Sequence, residues 1–146
     1  MKKFRRISAL ILALALVCTL AISAFAVTTG SSASAFCYDV HFHTEMVGTI
    51  TYAKANTVVD IPGSGDFSAL ITLSNTVCVE DQIRPTNYEV RTVTRTFTRY
   101  SGTRELMYSA PIGYVMIDAT GKTKITKTVS GALYNTTTAP VTIGLY

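Results

Sequence analysis

Residues 88–100 alternate with a period of two for thirteen positions, and this run limits the fold more than any other feature of the chain. One face reads Tyr88, Val90, Thr92, Thr94, Thr96, Thr98, Tyr100. The other reads Glu89, Arg91, Val93, Arg95, Phe97, Arg99. Successive side chains of a strand point to opposite faces, whereas a helix groups residues three and four apart. The run therefore predicts a long strand.

The rest of the mature chain carries the same signals. Thr, Val, Ile, Tyr and Phe recur in short runs separated by turn residues, a composition that suits pleated, half-buried surfaces. Besides 88–100, strands are predicted at 36–43, 46–52, 57–61, 67–73 (continuing or restarting at 76–80), 104–109, 112–118, 123–129, 132–135 and 141–146. Pro62, Gly63 and Gly65 break the chain between the third and fourth runs. Ser101-Gly102 turns residues 104–109 back beside 88–100. Residues 119–122 read as a hairpin turn, with Gly121 free to take a left-handed conformation. Outside the leader, no window of 12 or more residues has a 3.6-residue apolar period. The expected fold is all-β: an antiparallel β-sandwich or open barrel of about eight to ten short strands. A mature chain of about 120 residues has surface enough to bury for one core, so residues 36–146 form a single domain.

The amino terminus reads differently. Lys2, Lys3, Arg5 and Arg6 precede an uncharged apolar run over 7–22, and Ala24-Phe25-Ala26 follows as a small-x-small triplet. This is the order of a secretory signal peptide cut after residue 26. The run is shorter than the roughly 20 residues a stable span needs. A second small-x-small triplet, Ala33-Ser34-Ala35, offers an alternative cut after 35. Residues 27–35, rich in Thr, Ser, Gly and Ala, read as a flexible lead-in. The leader has a bacterial look, and the expected location is secreted or cell-surface associated, touching membrane only through the signal peptide.

Removing the leader changes the charge. The whole chain has 13 basic and 9 acidic residues, net +4. The leader holds four of the basic residues and none of the acidic ones, which leaves nine against nine. Strong whole-molecule attraction to nucleic acid or anionic membrane has no support in that balance. Cys18 leaves with the leader, so Cys37 and Cys78 remain in an oxidising compartment, where a disulfide between them is expected.

Four side-chain groupings could carry function. Arg91, Arg95 and Arg99 share a face with Phe97, and guanidinium forks beside an aromatic ring suit carboxylates, sulfates or phosphates. Arg104 joins them if the return strand pairs alongside. The plain alternative is a solvated face that protects an edge. His41 and His43 share a strand face, with Asp39 or Glu45 as third ligand for a metal. The plain alternative there is a solvated face over buried Val40 and Phe42. Tyr108, Tyr114, Tyr134 and Tyr146 could stack on sugars, or sit half-buried at sheet edges. The Thr face of 88–100 also fits a membrane-inserting barrel hairpin, but then the Arg face would have to line a lumen.

Enzyme signatures fail. Gly121-Lys122-Thr123 lacks the earlier glycine of a phosphate loop, since Met116 stands there. Gly63-Ser64-Gly65 lacks the outer glycines of a nucleophile elbow. No cofactor is implied. The expected function is a small secreted, non-enzymatic binding or interaction module, with an extracellular glycan, wall polymer or protein as partner. A secreted effector or toxin acting on membranes comes second, and a small hydrolase with an unrecognised site third.

Overall fold

The computed structural model describes residues 27–30, 32–60, 69–98 and 102–145. The leader and Arg99 lie outside them. The described chain is all-β, with two antiparallel sheets. The first holds β1 (Thr28–Thr29), β2 (Ala33–Cys37), β3 (Val40–Thr49), β4 (Tyr52–Asp60) and β7 (Gly102–Ser109). The second holds β5 (Ala69–Asp81), β6 (Tyr88–Thr98), β8 (Tyr114–Val129), β9 (Ala132–Thr137) and β10 (Val141–Gly144). In the first sheet β1 and β2 share one lane beside β3, followed by β4 and β7. In the second, β9 and β10 share a lane beside β8, followed by β5 and β6.

The period-two pattern explains why the sheets face each other. In β3, Val40, Phe42, Thr44 and Met46 point inward; in β5, Ala69, Ile71, Leu73, Asn75, Val77 and Val79 do the same. Together with Met116, Ala119 and Ile125 of β8 they form one core, an arrangement compatible with a β-sandwich. Burying each large aliphatic side chain contributes about 1.5–3 kcal/mol.

Polar links from Thr44 and from Asn75 cross this core. Thr44 Oγ1 donates to Thr123 Oγ1 at 2.6 Å and lies 3.0 Å from Thr138 Oγ1. Asn75 Nδ2, on the second sheet, donates to the carbonyls of Ala53 at 2.9 Å and Leu106 at 3.3 Å on the first. Both amide hydrogens are thus satisfied inside an apolar interior, where an unmade bond is costly.

Several expectations need correction. Residues 114–129 form one continuous strand, and Gly121 sits within it, paired with Asn75 and Val141. Its role is clearance: a Cβ there would stand 2.3 Å from Met46 Sδ and 3.3 Å from the Ala55 Cβ on the opposite sheet. Residues 36–52 do not break near residue 44. Instead Tyr38-Asp39 and Ile50-Thr51 make the turns. Thr28–Thr29 form β1 and Ala33–Cys37 form β2, and Gly30 N donates to Met46 O at 2.8 Å. Residues 104–109 cross to the first sheet and pair with β4, not β6.

The expected Cys37–Cys78 disulfide is absent, and both thiols are free. Cys37 is buried between the sheets, where its Sγ lies 3.6 Å from the Ile125 carbonyl. Cys78 follows the even-numbered, outward positions of β5, and burial pushes its thiol pKa up. A sheet separates the two sulfurs, so no rotamer change can join them.

Gly121→Val should lower unfolding stability by about 1–3 kcal/mol through overpacking. Gly144→Val, at a position with open space around it, should stay within about 0.5 kcal/mol, as surface changes do. Urea unfolding of both variants checks this. Reductant should leave the melting temperature unchanged, and a thiol reagent should modify Cys78 before Cys37.

Candidate functional site

β6 and β7 are the terminal strands on the same side of the two sheets, with no ladder between them. Inward-pointing residues of β5 pair with the odd-numbered residues of β6, so Glu89, Arg91, Val93, Arg95 and Phe97 turn towards the gap between the sheets. On β7 the inward positions are Arg104, Leu106 and Tyr108, opposite buried Thr57, Ala55 and Ala53 of β4. The two strands therefore present a basic, aromatic seam.

Phe97 is the floor of this seam. It packs against the core, with the Arg95 guanidinium carbon 5.1 Å and that of Arg104 5.5 Å from its ring centroid. Both lie within the range at which the ring's negative face attracts a cation. Arg104 does not come from a return strand paired beside 88–100 but arrives from the opposite sheet. No pattern in one strand reveals which strand of the other sheet will face it.

Glu89 balances one end. It accepts from Arg91 Nε at 3.0 Å and from Arg91 Nη2, and its other oxygen accepts from the Tyr114 hydroxyl at 3.2 Å. The hydrogen bond from Arg91 holds the Glu89 carboxyl below its ordinary 4.5, and the Arg91 guanidinium is raised in return. The nearby negative charge of Glu89, with burial, pushes the Tyr114 hydroxyl above 10.

The other groupings disperse. His41 and His43 lie on the outer face of the first sheet, ring centroids 6.5 Å apart, over buried Val40 and Phe42. His43 Nε2 is 3.4 Å from Glu45 Oε1, while Asp39 is bonded to Lys127. Among the described residues no three His, Cys, Asp or Glu side chains gather to hold a metal ion. Tyr108 and Tyr114 are half-buried at the seam, Tyr134 is exposed at the far edge, and Tyr146 lies outside the described residues.

The Thr face of β6 forms part of a hydroxyl surface on the outside of the second sheet. Thr92 pairs with Thr76 at 3.0 Å and Thr96 with Thr72 at 3.2 Å. A shallow depression of about 420 Å³ there is lined by Ser74, Thr76, Thr92, Thr120 and Lys122. The Arg face turns towards a filled core, not the lumen that a barrel hairpin would need.

Nuclear magnetic resonance titration should place Glu89 below 4.5, and Arg91→Gln should return it towards that value. A depressed carboxylate stabilises the fold above its unfolded pKa, and that contribution is lost as pH falls through the lowered value. Glu89→Gln should bring the Tyr114 hydroxyl back down towards 10.

No family model matches this chain, and no curated protein or solved structure matches it either.

Proposed function

We propose that this protein is a secreted, non-catalytic binding module on a β-sandwich frame, exported by the leader at 1–26, and that its β6/β7 seam grips acidic groups of an extracellular glycan or wall polymer. The carrying observation is the convergence of Arg95 and Arg104, from different sheets, on the Phe97 ring. Guanidinium is a planar fork that meets carboxylate or phosphate with two parallel hydrogen bonds. Stacking on Phe97 orients each fork before the ligand arrives, which reduces the entropy lost on binding.

The charge balance favours local capture. With nine basic and nine acidic residues after the leader, the domain has no net charge to attract polyanions from a distance, so a clustered patch must do the selecting. The shifted carboxyls also favour binding over acid–base chemistry. Asp39 and Glu89 are both lowered by a basic partner, opposite to the raised value of a catalytic general acid.

Polygalacturonate and a polyglycerol phosphate are suitable probes, measured by calorimetry. Arg95→Ala should cost about 1.5 kcal/mol, roughly tenfold in Kd. Lys122→Ala, on the outer face of the second sheet, should leave Kd unchanged. Glu89→Gln should tighten binding, because it releases Arg91. Rising salt should weaken the complex. Wild-type protein that ignores both polyanions, or binding indifferent to Arg95→Ala, would refute the proposal.

A further inference from the structure

A second cluster lies at the opposite edge of the molecule, where β2 and β9 are the outer lanes. The β2–β3 hairpin turns through Tyr38 and Asp39, and Tyr38 has φ = 60°. That left-handed conformation suits Gly or Asn and strains a bulky aromatic residue. Held in this way, Tyr38 remains 58% exposed. Its ring centroid lies 5.1 Å from that of Tyr134 on β9, itself 40% exposed, with 47° between the planes. A two-residue hairpin turn needs a positive φ at a central residue, and Tyr38 meets that need at a cost in strain that Gly would avoid.

The polar surroundings complete the cluster. Lys127 of β8, almost buried, bonds Asp39 and stands 5.2 Å from the Tyr38 centroid. The hydrogen bond from Lys127 lowers the Asp39 carboxyl below its ordinary 3.8. Asp39 is therefore a fixed, ionised acceptor at the rim of two exposed rings. Cys37 Sγ, 3.6 Å from the Tyr134 carbonyl, ties the hairpin to β9.

We infer that Tyr38, Tyr134 and Asp39 form a stacking subsite for a neutral pyranose of an extracellular glycan. The C–H face of a pyranose is apolar and packs on an aromatic ring, while its hydroxyl rim needs hydrogen-bond partners. A carboxylate that accepts from hydroxyls makes short, charge-assisted bonds. Lys127 neutralises this carboxylate, so the edge carries no net charge to attract acidic sugars and suits neutral residues, where the seam suits charged ones. The 47° between the rings makes a bent platform, which fits a single twisted chain better than a flat crystalline surface. The subsite uses none of the seam residues and stands if the seam reading fails.

The test is affinity electrophoresis of protein expressed from the full chain, in gels containing hydroxyethyl cellulose, glucomannan, xylan or glycol chitin. At least one neutral polymer should retard the wild type. Tyr38→Ala and Tyr134→Ala should each weaken retardation at least tenfold, while Tyr38→Phe and Tyr134→Phe retain it, since stacking needs the ring. Tyr38→Gly separates binding from folding: it relieves the strained backbone, so the melting temperature should hold or rise while retardation is lost. Arg95→Ala should change nothing in these gels. No retardation by any of the four polymers overturns the inference, as does retardation that survives Tyr38→Gly or Tyr134→Ala. Neither result would touch polyanion binding at the seam.

Discussion

Gly121 lets Met46 and Ala55 of the first sheet reach β8 of the second, and the rest of the architecture depends on that contact. A side chain at this point would hold the sheets apart. Protein interiors are packed as densely as organic crystals, so such a gap could not simply be left open. The nearby amide of Asn75 fixes the relation between the sheets, because it reaches two carbonyls on β4 and β7 together. Sliding one sheet over the other would strand both of its N–H groups in an apolar interior. Close packing thus holds the centre together, and hydrogen bonding fixes its register.

With the centre held in this way, both edges acquire distinct chemistry. On one side the inward faces of β6 and β7 mix Arg and Tyr with the apolar Val93, Phe97 and Leu106. Phe97 marks the boundary, with one side in the core and its face under two guanidinium groups. On the other side the strained Tyr38 turn stands against β9. Both edges still pack apolar side chains against the core, Phe97 and Leu106 at one and Cys37 at the other, so the chemistry each displays is carried by the side chains beyond these.

The free cysteines fit the same account. With 18 core side chains in one cluster among the described residues, burial is sufficient to hold a domain of this size without a covalent staple. Cys37 acts as a small apolar group whose thiol meets backbone carbonyls, a common role for buried cysteine. An even count of cysteines reports chemistry available to the chain. It says nothing about the side of a sheet on which each sulfur lies.

The sequence by itself determined everything that depends on alternation within one strand: the all-β class, the course of β6, and the shared face of Arg91, Arg95 and Phe97. These features need only the geometry of an extended backbone, in which neighbours two apart point the same way. Only the tertiary structure decided which strands oppose one another. Gly121 reads as a turn until Met46 is seen across from it, and β7 reads as the partner of β6 until it pairs with β4. Tyr38 gives no local sign of its left-handed backbone, which follows once Cys37 pairs with Val40 across a two-residue turn. Contacts between sheets depend on twist, clearance and loop paths summed over the whole chain, and no short window of residues encodes that sum.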